Sequence, residues 1–197
     1  MRLVAVAFAL SVLATAAAHA QTPQRVHGTI GAVTDAQITI HTADGQDTTL
    51  PLAADVRISS EKKLALTDIK TGDYVGVEAQ KQADGSLVAE YVNVFPASAK
   101  GVAEGQHPGS TGPDSSMTNA SVTEVVTANT GNTLNLSYNG GTATVIITPD
   151  TPILTPVPGD RSLLVVGMHV SGFVRSDLAG NPTIAALAVE KDGVVPP

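Results

Sequence analysis

The chain of 197 residues carries 18 acidic against 11 basic side chains, a formal charge of −7, with no cysteine and no tryptophan. Neither half is basic, which disfavours nucleic acid and anionic membrane surfaces, since both are held by concentrated Lys and Arg. The lack of cysteine excludes disulfides and a lipid-anchored cysteine, and an aromatic content of 3% leaves any core to aliphatic side chains.

Residues 1–20 read as a cleavable export signal peptide. Arg2 gives a minimal positive start, Leu3 to Ala17 is apolar or small, and Ala18-His19-Ala20 has the small-x-small pattern of a signal peptidase site. That run falls short of the roughly 20 residues of a membrane span, and no later segment is apolar enough to form one. The mature chain is therefore expected to begin at Gln21, to be periplasmic without a membrane span, and not to be a lipoprotein.

From Val26 onward the chain is written twice. Ile58, Gly72, Val75 and Gly85 recur as Ile153, Gly167, Val170 and Gly180, all at the same spacing. A repeat of this length is a small domain, not a solenoid unit. In the first copy Val26, Ile30, Ile38 and Ile40 share one parity, which predicts two strands with a hairpin near Thr34-Asp35. Asp44-Gly45 predicts a tight turn into a return strand at Thr48–Leu50, and Asp84-Gly85 a second hairpin between Tyr74–Ala79 and Leu87–Phe95. Leu64 to Ile69 reads as one helical turn, with Gly72-Asp73 turning the chain into the next strand. The second copy predicts strands at Ser121–Val126, Leu134–Tyr138, Ala143–Thr148 and Val170–Val174.

Five strands with a helical turn before the fourth are the pattern of an OB-like barrel. The expectation is an all-β protein with two tandem small OB-like five-stranded β-barrels, at residues 21–96 and 120–192. Residues 97–119, rich in Gly, Pro and Ser, form the linker, and 193–197 a C-terminal tail. A barrel of about 70 residues without disulfides is marginal alone. The copies are therefore expected to pack on each other or on a partner.

Candidate residues for chemistry are few. There is no nucleophile elbow, no His-Glu-x-x-His, no phosphate loop and no dinucleotide fingerprint. If Ile30 faces Ile38 across the first hairpin, His27 falls opposite His41 on the outer face, about 5 Å away at Cβ. Two imidazoles so placed are candidate metal ligands, and His107 on the linker is a candidate third. His169 stands where the first copy has Tyr74, which predicts a packed, half-buried ring. Asp35, Asp44, Asp73 and Asp84 occupy turn positions, where Asp bonds the local backbone. Glu61-Lys62-Lys63 reads as a solvated charge run in a loop.

Gly28-Thr-Ile30, Asp44-Gly45, Leu66-Thr-Asp-Ile-Lys-Thr-Gly-Asp-Tyr-Val75 and Asp84-Gly85-Ser-Leu-Val-Ala89 together resemble the bacterial Domain of Unknown Function 5666. The second copy matches that pattern less well, with Gly167-Met168 and Gly180-Asn181 at the two turns. The linker, Pro158-Gly-Asp-Arg161 and the tail look like an exported two-module proteobacterial subgroup, whose members often carry the label of metal ABC transporter permease. The resemblance implies a metal-linked context and supplies no catalytic residues. The chain is thus expected to be a non-catalytic periplasmic binding or assembly module engaging an envelope protein. The alternative is a metal-binding accessory to metal transport, holding a divalent metal at His27, His41 and His107. The sequence leaves the oligomeric state open.

Overall fold

The computed structural model describes residues 24–128, 131–176 and 180–197, so the expected export signal at 1–20 lies outside the described residues. Twelve strands follow one another: β1 (Gln24–Val33), β2 (Gln37–His41), β3 (Asp47–Lys63), β4 (Tyr74–Lys81), β5 (Leu87–Phe95), β6 (Gly105–Pro108), β7 (Ser115–Ala128), β8 (Gly131–Tyr138), β9 (Gly141–Ile147), β10 (Ile153–Pro158), β11 (His169–Ser176) and β12 (Pro182–Val189). Short 3-10 turns at Leu66–Asp68, Ala97–Ala99 and Arg161–Leu163 punctuate them. The expected turns are present: Gly45 and Gly85 both take positive φ, 79° and 86°, which suits glycine at a tight corner.

The strands close into two five-stranded barrels, and neither barrel is one copy of the repeat. β1, β2 and β3 are joined by β11 and β12, with β1 on β11, β11 on β12, and β12 parallel to β3. The second barrel takes β4 and β5 from the first copy and β7, β8 and β9 from the second, with β5 parallel to β9. The expected division into self-contained units at 21–96 and 120–192 is therefore corrected. Each copy gives its first three strands to one barrel and its last two to the other.

The cause is the length of β3. The return strand expected at Thr48–Leu50 runs on without a turn for 17 residues, roughly 55 Å of extended chain, and leaves its barrel. Beyond it, Leu64, Leu66 and Ile69 pack into the second core. β10 makes the return journey, and Leu163 and Leu164 after it pack into the first core. The two crossing strands pair antiparallel, Ser59↔Pro158 through Lys63↔Leu154, with Glu61 opposite Pro156.

The cores record the exchange. Ile30, Ile38, Ile40 and Ile58 pack with Val170, Ile184, Leu187 and Val189 in the first barrel. Val75, Val77 and Val92 pack with Val122, Leu134, Leu136, Val145 and Ile153 in the second. Residues equivalent in the repeat, such as Ile58 and Ile153, therefore sit in different cores. Closure leaves the barrel strands few open edges, the usual liability of β-structure. The linker is ordered too: β6 lies on β7, and β7 begins at Ser115, earlier than expected. No helix among the described residues is long and apolar enough to cross a membrane.

Candidate functional site

The three histidines expected to share a metal are set apart. The bulge between Ile30 and Ala32 and the pairing of Ile30 with Ile40 shift β2 by two residues from the expected register, so His41 faces Thr29. His27 lies past the end of β2, opposite Ser171 of β11. Partial desolvation, with the nearby Arg25 charge, lowers its pKa. His107 sits on β6 against the other barrel, its Nε2 3.1 Å from the carbonyl of Ala103. Among the described residues no group of three His, Asp or Glu is placed to hold a metal ion.

A different row emerges on the first barrel. His169 of β11 and His41 of β2 both flank Thr29 of β1. Their neighbours Val170, Ile40 and Ile30 are buried, so strand alternation turns all three outward. His41 Nδ1 lies 2.8 Å from Asp47 Oδ1, and His169 Nδ1 lies 2.6 Å from Glu190 Oε2. The second contact lowers the pKa of Glu190, mainly through that side-chain hydrogen bond. His41, His169, Thr29, Gly28, Thr42 and Gly45 line a shallow cavity of about 340 Å³. His169 was expected to be half-buried like Tyr74, yet its side chain is 56% exposed.

The equivalent row on the second barrel, Tyr74, Ser121 and Ser137, is covered by the linker. Tyr74 is buried and its hydroxyl donates to the carbonyl of Val102 at 2.8 Å. Lys100 Nζ donates to the carbonyl of Gly72, Asn119 Nδ2 to that of Ala103, and the amide of Asn139 to Glu104 Oε1. The linker then adds β6 antiparallel to β7, Gly105↔Asn119 through Pro108↔Ser116. Thr118 faces Val77 as Val26 faces Gly172, so the β7 edge that carries β6 corresponds to the β1 edge at Gln24–His27. Among the described residues no strand pairs with that edge of β1.

A polar junction joins the barrels. Arg25 donates to the Tyr91 hydroxyl at 3.2 Å, and its guanidinium lies 4.6 Å from the centre of the Phe173 ring. Glu61, expected in a solvated loop, is instead buried at 8% exposure, because β3 carries it between the barrels beside β10. Lys62 and Lys63 are exposed, as expected. Burial pushes the Glu61 carboxyl up to about 7 against the pull of Arg25, and Oε2 has no partner among the described residues. The tail Gly193–Pro197 lines a cavity of about 390 Å³ with Tyr91, Pro152 and Leu154, and Pro196 is buried.

A second carboxylate pins the linker. Glu78 is fully buried, and its Oε1 accepts from the amide of Ser110 at 2.7 Å and the hydroxyl of Thr111 at 3.3 Å. Thr111 also donates to Glu90. Gly109 lies so close that a Cβ there would collide with the Ser115 hydroxyl and the Glu78 carboxylate. No single sequence signal marks this cradle, because Glu78 stands in a strand beside the polar Gln80 and Lys81 and Ser110-Thr111 reads as generic linker. Comparison of the chain with protein-family models, curated proteins and solved structures gives no significant match.

Proposed function

We propose that this chain is a non-catalytic periplasmic binding module that captures an extended segment of an envelope protein as an added strand on β1. The observation that carries the reading is the inequality of the two barrels. The edge of β7 is filled by β6 from the chain's own linker, while among the described residues no strand pairs with the corresponding edge of β1 over Gln24–His27. Strand addition supplies main-chain hydrogen bonds for affinity and alternate side chains for specificity. The adjacent His169–Thr29–His41 face lies where the linker crosses the other barrel, so an incoming segment meets a side-chain surface before it pairs.

The OB-like reading of each barrel draws support from strand order. In both, three antiparallel strands in sequence are closed by a hairpin whose second strand runs parallel to the third. Export by the leader at 1–20 belongs to the same proposal. A photo-crosslinking residue in place of His27, with one in place of Asn135 on the second barrel as control, tests it in intact cells. An envelope-protein adduct formed at His27 and not at Asn135 is the expected result. Absence of any adduct at His27, or equal adducts at both positions, refutes the reading.

A further inference from the structure

We propose that the outer face of the first barrel holds one divalent late transition-metal ion between Nε2 of His41 and Nε2 of His169. The two residues stand in one row, each beside Thr29, on alternate strands of the same wall. Strands about 4.8 Å apart put their backbones roughly 10 Å apart, a span that two imidazoles leaning over a small threonine close. Both line the same cavity.

The tautomer follows from the carboxylates. With Nδ1–H donating to Asp47 in one case and Glu190 in the other, the neutral rings carry their lone pairs on Nε2. Neither Nε2 has a hydrogen-bond partner among the described residues. A carboxylate behind the imidazole is the arrangement that orients a metal-ligating histidine and raises its basicity. The net negative charge of the chain favours a cation at this face. Imidazole ligands suit copper, nickel and zinc, with copper(II) held most tightly. Water fills the remaining coordination positions, so the site is open to a donor from outside.

The proposal stands apart from strand capture, because the metal is measured on the free chain. Untagged mature protein is titrated with copper(II) and zinc(II), and uptake is followed by native mass spectrometry and by electron paramagnetic resonance of the copper form. One ion per chain is expected, with nitrogen coupling from two imidazoles. His41→Gln and His169→Gln each weaken binding at least tenfold, while His27→Gln and His107→Gln leave it unchanged. Asp47→Asn weakens it about tenfold through loss of the hydrogen bond behind the ring. Both histidines are exposed on the barrel wall, so an unchanged circular dichroism spectrum is expected to show that these variants fold. No stoichiometric uptake, or uptake that survives the double variant His41→Gln/His169→Gln, overturns the proposal.

Discussion

Replacing Ile38 by Ala should unfold the barrel that does not contain it. Ile38 is fully buried in the first barrel, among Ile30, Ile40 and Ile184. Truncation removes three buried carbons and leaves a cavity, a change that costs about 2–5 kcal/mol for an isoleucine in a packed core. For a domain of this size that corresponds to a drop of roughly 5–15 °C in Tm. The chain has no Trp, and its three tyrosines, Tyr74, Tyr91 and Tyr138, all lie on β4, β5 and β8 of the second barrel. Tyrosine fluorescence is therefore a reporter of the second barrel alone. Because each barrel is closed by strands of both copies, the two unfold as one unit, and the urea midpoint by tyrosine fluorescence moves by the full amount. Far-ultraviolet circular dichroism gives the same midpoint in one transition. A tyrosine transition left where it is in the parent, with a separate earlier loss of strand signal, would refute the shared-strand architecture.

Three further outcomes follow from buried polar groups. Glu61 ionises near 7 in the fold and near 4.5 as an ordinary glutamate, so between those values the native state keeps a proton that the unfolded chain has lost. Its contribution to stability falls as pH rises from about 4.5 to 7, by roughly 1–3 kcal/mol once solvent screening is allowed for. Glu61→Gln should match the parent near pH 5 and exceed it at pH 8 in urea midpoints; parallel curves across that range would show that the carboxyl is not desolvated. Gly109→Ala should release the Gly109–Ser115 loop from Glu78 at a cost of about 1–3 kcal/mol, read as faster proteolysis there, and unchanged cleavage would count against the cradle. Tyr91→Phe removes the acceptor of Arg25 and should lower stability by about 0.5–1.5 kcal/mol, checked by thermal melts.

The elements were largely legible, and their assembly was not. Alternating Ile38 and Ile40, Asp44-Gly45, Asp84-Gly85 and the Leu64–Ile69 turn announce strands and corners through local chemistry, and each is found where the pattern places it. Which copy a strand joins is decided by whether the chain bends back after Ser60 or runs on. Nothing in Asp55-Val-Arg-Ile-Ser-Ser marks that choice, because both alternatives bury the same Ile58 against equivalent neighbours. The site suffered from the same kind of ambiguity at smaller scale. A two-residue change in the β1–β2 pairing keeps every isoleucine facing inward, so the apolar pattern does not distinguish the two registers. That change moved the partner of His41 from His27 to the row containing His169, a residue far away in sequence. Its likeness to Tyr74 suggests a half-buried ring, whereas among the described residues nothing covers His169 as the linker covers Tyr74.

The pairing of Glu61 with Pro156 carries a history. The crossing strands are related by an approximate twofold axis, and positions equivalent in the repeat meet there: Glu61 and Pro156 occupy the same place in the two copies. In a dimer of identical single copies, whatever stood at that place would face itself. Two glutamates would set like charges together in a dry junction, and two prolines would leave both strands without a donor. A covalently joined pair escapes that constraint. Once the halves share one chain, the axis can hold an acid on one side and an imino acid on the other, and the two barrels can be dressed differently, as the linker laid over only the second of them shows.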